Sequence, residues 1–378
     1  MKRILFVIQT LGGGGAEKVL LNLLDNINYD KYKIDLLTIS DEGVYKNKIN
    51  PNVEKFHIFK GTDSIESKLS QNIYKLYRRI YMKMIEIKPN IVNKKIKNRK
   101  YDIEISFLEG LGAIIVANRD CDKKISWIHT DLSKYESIIS KEKLEESYSK
   151  MDKILFVSEE AKKGFLKVFP IFEAKNDILD VIYNPIDEEQ IKLRAKEQIN
   201  YNKKAITLIA IGRLIKSKRI DRLVKIHKRL LDEGIKHEFV ILGEGQERKQ
   251  LDALINELEV ADTFKLIGFT DNPYKWINMA DIYTMSSEYE GLPLVIAEAM
   301  TLNKPIVSTG VTGPNEMLHF GEYGMLTENN IDSLYDGIKE MILNENLRNQ
   351  YIDKLKCKKS EFDKREIINK IEHMLDNL

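Results

Sequence analysis

The sequence predicts an α/β protein of two domains, each built on a parallel sheet covered on both faces by helices. Apolar, strand-like runs alternate with helical patterns from Ile4 to about Tyr183. The same alternation starts again at Ala205. Between the two series, Glu188 to Asn202 is charged and holds no strong strand pattern, which suits a boundary. Alternation of this kind implies parallel strands joined by crossover helices. The chain has 378 residues, enough for two domains of ordinary size. The expected division is 1–188, 189–364 and a last helix at 365–378.

Ile4-Leu5-Phe6-Val7-Ile8 reads as a strand buried on both faces, because it has no polar alternation. Glycines at 12–15 follow, then a helical pattern from Ala16 to Leu24. Lys33 to Ile39 and Asp102 to Phe107 are the next strands, with a helix expected over Ala113 to Ala117. Lys124 to Ile128, Lys153 to Ser158 and Val181 to Tyr183 complete the first series. In the second, Ala205 to Ile211 precedes an amphipathic helix over Ile220 to Asp232. Phe239–Leu242, Thr263–Ile267, Ile282–Met285 and Pro305–Ser308 are short strands with helices between them.

Composition narrows the function classes. Lys plus Arg number 60 and Asp plus Glu 58, so a net charge of +2 gives no reason to expect nucleic acid as a partner. Cys121 and Cys357 match no metal or redox spacing and suit a reducing compartment. The apolar run after Met1 is too short for a signal peptide, and no stretch approaches the ~18 apolar residues of a spanning helix. A cytoplasmic protein is expected, peripheral to the membrane at most.

The most informative stretch is Glu290-Gly291-Leu292-Pro293-Leu294-Val295-Ile296-Ala297-Glu298. Pro293 suits the first turn of a helix, where its missing N–H costs nothing. Glu290 then sits on a loop aimed at the helix start, and Glu298 about a turn and a half inside. Backbone N–H groups at a helix start favour an anion. Carboxylates beside them should grip hydroxyls. A nucleotide sugar carries both kinds of group. A second candidate is Gly212-Arg213-Leu214-Ile215-Lys216-Ser217-Lys218, directly after a strand, where ligands of open parallel sheets bind. Its fixed cations could neutralise a diphosphate leaving group. The third is Gly12-Gly13-Gly14-Gly15-Ala16-Glu17, whose glycines let backbone N–H groups approach an anionic or sugar ligand. Glu17 stands where a dinucleotide fingerprint needs its third glycine, and no Gly-Lys-Ser/Thr follows for a P-loop. His129 ends a strand of the first series. The pair Asp120 and Asp122 precedes that strand, at the wrong edge of the sheet for this chemistry.

These motifs resemble those of retaining glycosyltransferases of the two-Rossmann-domain (GT-B) type, family 4. The Glu290–Glu298 spacing is similar to the family's E-x7-E signature, and Gly14-Gly15-Ala16-Glu17 to its Gly-Gly-Ala-Glu loop. The resemblance spans most of residues 1–330, densest after 205 and weak from about 45 to 100. It implies two Rossmann-like domains facing each other across a cleft, with the last helix packed back on the first. It implies that Arg213 and Lys218 hold the diphosphate and that Glu298 holds the ribose. Glu290 and the backbone of Gly291, Leu292, Leu294 and Val295 would hold the sugar. The loop at Ile267 would contact the base, with Gly14 and Gly15 also at the donor. His129 would hydrogen-bond the donor sugar. His129, Arg213, Lys218 and Glu290 are thus the catalytic set. The expected reaction moves a hexose or N-acetylhexosamine from a nucleoside diphosphate sugar, a UDP-sugar, to a saccharide or lipid-linked saccharide acceptor, in cell-surface polysaccharide or glycan synthesis. No cofactor and no metal are expected; the nucleotide sugar is a substrate. The alternatives are a sugar-nucleotide epimerase or hydrolase of the same plan, or a non-catalytic partner subunit. The Glu17 substitution argues against a dehydrogenase.

Eleven positions from Lys68 to Lys100 are Lys or Arg, and only Glu86 is acidic. Ile73, Leu76, Tyr77, Ile80, Tyr81, Met84 and Ile87 recur at three- and four-residue spacing among them. This is a basic amphipathic helix with a basic tail. The pattern fits two roles equally: a helix lying on an anionic membrane surface, or one packed by its stripe on its own domain.

Overall fold

The computed structural model describes all residues except 13, 62–66, 135–138 and 359–360, and the side chains of 68 and 69. Gly13 of the glycine loop and the side chain of Lys68 therefore lie outside the described residues. Two compact units result. One comprises Met1–Pro185 with Arg365–Leu378, the other Ile186–Lys364.

Among the described residues, the first unit holds a seven-stranded sheet in the order β3-β2-β1-β4-β5-β6-β7. Its strands are β1 (Lys2–Ile8), β2 (Tyr32–Asp41), β3 (Glu54–Lys60), β4 (Ile103–Ser106), β5 (Lys123–Ile128), β6 (Lys153–Phe156) and β7 (Leu179–Val181). Every pairing is parallel; Ile4 stands beside Ile34 on one side and Ile103 on the other. Ile4 to Val7 are fully buried, because crossover helices cover both faces of the central strand. The order reverses between β1 and β4, which opens the switch point at their carboxyl ends. The helix Lys364–Asp376 returns to this unit and buries Ile367, Ile368, Ile371 and Leu375. Lys2 donates to the Leu375 carbonyl at 2.8 Å, and Glu372 accepts from the Asn28 N–H at 2.8 Å.

The second unit holds a six-stranded parallel sheet among the described residues, in the order β10-β9-β8-β11-β12-β13. The strands are β8 (Ile206–Ile211), β9 (His237–Leu242), β10 (Phe264–Gly268), β11 (Ile282–Met285), β12 (Ile306–Thr309) and β13 (Met325–Thr327). Phe239, Ile241, Leu208 and Val307 meet the apolar face of the helix Ile220–Asp232 and of the helix Ile331–Leu343 in one core.

Three sequence expectations need correction. The strand expected over Val181–Tyr183 lies at Leu179–Val181, so the run ends where the chain leaves the sheet. Two edge strands, β3 and β13, escape the pattern. The first is punctuated by lysines and Glu54, and the second is three residues long. Pro293 does not enter the helix Leu294–Thr301. It is the extended residue before it, with φ −73° and ψ 105°, so Leu294 and Val295 carry the leading N–H groups.

Candidate functional site

The second unit brings three glycine-tipped strand ends together. The Gly212 N–H, after β8, donates to the Leu242 carbonyl at 3.0 Å, and the Gly243 N–H, after β9, donates to the Gly268 carbonyl at 2.8 Å. Gly243 has φ +138°, and a Cβ there would overlap the Gly212 carbonyl oxygen. Only glycine lets these backbones come so close. The side chain of Lys218 runs across Gly212, so its amine is carried over the end of β8. Lys218 ends a short 3-10 helix, Lys216–Lys218, and its carbonyl accepts a 2.8 Å hydrogen bond from Ser286 Oγ. Arg213 is exposed and forms no ion pair among the described residues. Lys216 is likewise exposed.

Glu290 follows β11 and is fixed from two sides. Lys218 pairs with its Oε1, and Ser287 Oγ donates to the same oxygen at 2.6 Å. The Glu290 carbonyl accepts from the Gly313 N–H at 3.3 Å, and a Cβ on Gly313 would overlap the Gly291 carbonyl oxygen. The Glu290 turn is therefore clamped against the start of the helix Thr312–Met317. Glu298, inside Leu294–Thr301, is 2% exposed. Tyr283 of β11 is fully buried within electrostatic reach of both carboxylates. Burial first, then the negative charge of Glu290 and Glu298, pushes its phenol well above the ordinary range, so it stays protonated. Leu292 and Leu294 are buried, Gly291 and Val295 half-buried, and Ile267 is exposed near the end of β10.

In the first unit, the carboxyl ends of β1, β4 and β5 carry the polar groups. Gly14 precedes the helix Gly15–Asn26, and the Glu17 carboxylate folds back over it: a Cβ on Gly14 would overlap Glu17 Oε2. A carboxylate already placed at this helix start disfavours a second anion there and favours hydroxyls. Glu109, after β4, accepts from the His129 N–H at 3.2 Å. Burial raises the Glu109 carboxyl, opposed by its backbone hydrogen bonds; nearby Glu17 adds to the rise. The His129 ring lies against Phe107, with centroids 4.6 Å apart, and burial pushes its imidazole down to about 3, so it is neutral near pH 7. Ser158 caps the helix Glu159–Val168 by accepting from the Ala161 N–H at 3.0 Å. Asp120 and Asp122 lie before β5, at the opposite edge of the sheet. Among the described residues, no group of three or more His, Cys, Asp or Glu side chains is arranged to hold a metal ion.

Known proteins are similar to this chain in sequence and in fold. Residues 191–356 match the family model of glycosyl transferases group 1. The chain is 29% identical, over 96% of both chains, to N-acetylgalactosamine-N,N'-diacetylbacillosaminyl-diphospho-undecaprenol 4-alpha-N-acetylgalactosaminyltransferase of Campylobacter jejuni. It is 26% identical to an uncharacterized glycosyltransferase of Haemophilus influenzae, over 97% of this chain and 98% of that one. Its fold is similar to that of Anabaena HepE in complex with UDP and glucose, with a TM-score of 0.73 at 19% identity over the whole of both chains. Sucrose-phosphate synthase of Thermosynechococcus elongatus gives a TM-score of 0.75 at 14% identity, over 100% and 99% of the two chains. The expected architecture of two parallel-sheet α/β domains is that of these GT-B glycosyltransferases.

The group 1 match contains Arg213, Lys218, Ile267, Glu290, Gly291, Leu292, Leu294, Val295 and Glu298. Gly14, Gly15 and His129 lie outside it, in the first unit. Within the group 1 segment the structure brings Lys218 and Glu290 into direct contact, although they are far apart in sequence. Sequence reasoning passed over Tyr283, Ser287 and Glu109. Ser287 sits three residues before Glu290 and had a local signal, a hydroxyl within turn distance of a carboxylate. Tyr283 had none, because a tyrosine inside an apolar strand reads as core.

Proposed function

We propose that the chain is a retaining glycosyltransferase of the family 4 kind. It transfers a hexose or N-acetylhexosamine from a UDP-sugar to a saccharide, in the first instance a lipid-linked saccharide like the undecaprenol-linked one in the name of the Campylobacter relative. The observation that carries the reading is the fixed Glu290, held by Lys218 and Ser287 beside a helix that buries Glu298. Glu298 takes the ribose hydroxyls. Glu290 takes sugar hydroxyls with the N–H groups of Gly291, Leu292, Leu294 and Val295. Arg213 and Lys218 take the diphosphate, whose negative charge grows as the glycosidic bond to phosphate breaks. An arriving diphosphate competes with Glu290 for the Lys218 amine, so donor binding frees the Glu290 oxygen for the sugar. These cations need no metal to balance the leaving group.

The first unit takes the acceptor, and His129, as a neutral imidazole, hydrogen-bonds the donor sugar. The glycine loop, with Glu17 folded over it, suits hydroxyls. A lipid-linked acceptor would bring the protein to the cytoplasmic face of a membrane. The deciding experiment incubates the protein with a panel of nucleotide sugars, with and without undecaprenol-linked saccharides, and measures free nucleoside diphosphate. Release that depends on acceptor is expected with a UDP-sugar. Release equal with and without acceptor marks a hydrolase, and isomerised donor without release marks an epimerase. The anomeric configuration of the product, read by NMR, tests retention.

A further inference from the structure

The helix Lys68–Ile87 presents an apolar face that its own domain does not use. Ile73, Leu76, Ile80, Met84 and Ile87 are each between 49% and 75% exposed, and Tyr77, 50% exposed, borders them with its ring edge-on to Phe59. At roughly 100° per residue they form one stripe about 100° wide along the helix. Soluble proteins rarely leave such a contiguous patch open. The other face is anchored. Ile85 is fully buried, the Tyr81 ring meets Phe59 edge-on at 5.3 Å, and Tyr74 donates to the Lys60 carbonyl at 3.1 Å. Arg78 pairs with Glu42 at 2.6 Å and lies over the Phe59 ring. The helix is therefore held in place with its stripe outward.

The charges around the stripe say what covers it. Lys75, Arg79 and Lys83 are exposed and follow each other on successive turns, flanking the stripe on one side. Lys88, Lys94 and Lys95 extend the basic surface beyond the helix end, whereas Lys97 pairs with Glu54 at 3.0 Å and Lys100 with Asp120 at 3.5 Å. Glu86, the one acidic residue of 68–100, is half-buried with its carboxylate 4.0 Å from the Lys143 amine. Val92 and Ile96 tie the 3-10 segment Pro89–Ile96 to the domain, so the basic tail stays beside the helix. An apolar stripe edged by Lys75, Arg79 and Lys83 complements the acyl boundary and anionic headgroups of a bilayer. A second copy would bring its own Lys75, Arg79 and Lys83 to the same face, cation against cation. Among the described residues no helix is long and apolar enough to cross a membrane, so the contact is one of lying on the surface.

The geometry points to this face as a docking surface for an anionic lipid bilayer, with Ile73, Leu76, Ile80, Met84 and Ile87 entering the interface and Lys75, Arg79 and Lys83 meeting headgroups. The surface goes beyond the transferase reading and stands without it. Its test needs no turnover. The full chain is sedimented with vesicles of phosphatidylcholine alone, or mixed with phosphatidylglycerol, at about 0.05 M and about 0.5 M salt, where screening differs several-fold in range. Three forms are compared: the native chain, the triple variant Lys75→Glu, Arg79→Glu, Lys83→Glu, and the double variant Ile80→Ser, Ile87→Ser. Arg78 is left alone because it holds the helix to its domain. The native chain should bind the phosphatidylglycerol vesicles at low salt and much less at high salt. Each variant should bind at least about a hundredfold more weakly while keeping its melting temperature and its affinity for UDP. No native binding at low salt, equal binding to neutral vesicles, or full binding by the triple variant would overturn the proposal. So would a native dimer that the double variant dissociates in the ultracentrifuge, since the face would then join two copies.

Discussion

Glu298 is the residue on which nucleotide affinity should turn. Its carboxylate is buried inside Leu294–Thr301, so truncation removes a charged partner that water does not replace. Hydrogen bonds to charged groups are worth about 1.5–3 kcal/mol, and Glu298→Ala should therefore weaken UDP binding roughly ten- to a hundredfold in calorimetry. Unchanged affinity would remove Glu298 from the donor site. Arg213 and Lys218 should behave differently, since in the proposed reaction they answer charge that grows in the transition state. Arg213→Ala and Lys218→Ala should each lower turnover by about 10²–10³ with little change in melting temperature. Activity should also persist in a chelator. Loss in EDTA, restored by a divalent ion, would assign the leaving group to a metal. The sequence places all three residues beside strand ends or helix starts from local pattern alone. It does not show that Lys218 and Glu290 touch, because their pairing depends on β8 and β11 being neighbours in the sheet.

At the scale of elements, the candidate site of the second unit depends on strand ends that approach within backbone contact. Gly243→Ala would put a methyl group into the Gly212 carbonyl at a φ of +138°, a conformation that L side chains rarely adopt. Strain of this kind costs of order 1–3 kcal/mol, and more when atoms overlap. The variant should melt several degrees lower and should also bind UDP more weakly, because Gly212 carries the chain into Arg213. Gly234→Ala, where a Cβ meets nothing within 4 Å at a φ of +78°, is the control: it should lower the melting temperature by less and leave UDP affinity unchanged. If the two variants weaken UDP binding equally, the close approach at Gly243 has no part in the site. The glycines after β8, β9 and β10 are legible in the sequence as breaks after apolar runs. Which of them is crowded is not, since crowding comes from the neighbouring strand.

At the scale of the whole molecule, the second unit carries a buried device that ties its stability to pH. His227 and His237 are hydrogen-bonded through Nδ1 and Nε2 at 2.7 Å. His237 Nδ1 donates to the Ile235 carbonyl at 2.8 Å, so its Nε2 must accept from His227 Nδ1–H, and Thr263 Oγ1 donates to His227 Nε2 at 2.8 Å. Every ring nitrogen is used with both imidazoles neutral. Burial first, then His237, pushes His227 down to about 3, and burial lowers His237. Both folded values lie below the ordinary 6.5, so the unfolded chain binds these protons first. Stability is therefore fully present above pH 6.5 and falls as the pH drops from there towards 3. For His227 the loss is about 1.4 kcal/mol per pH unit over most of that window. Glu104 acts in the opposite sense. Burial raises its carboxyl to about 6 despite Arg119, so its contribution is fully present below 4.5 and is lost as pH rises through 6. Comparing urea midpoints of the native chain and His227→Gln between pH 7.5 and 5 cancels the Glu104 contribution. The native chain should lose more on acidification, by roughly 1–2 kcal/mol at pH 5. Parallel pH profiles would mean that His227 does not titrate across unfolding.

The sequence by itself determined the alternation of buried strands and amphipathic helices, a boundary expected at about residue 188, and the turn-and-helix pattern around Glu290. Each of these is set by neighbours within a few residues, through side-chain period, backbone freedom at glycine and the unpaired N–H groups of a helix start. The tertiary structure decided what distant neighbours set. It joined Lys218 to Glu290, brought Tyr283 within electrostatic reach of two carboxylates and folded Glu17 over Gly14. It also settled which way the stripe of Lys68–Ile87 faces. A periodic pattern fixes that a helix has an apolar side, but only the contacts of Tyr81, Ile85 and Arg78 fix which side the domain keeps for itself.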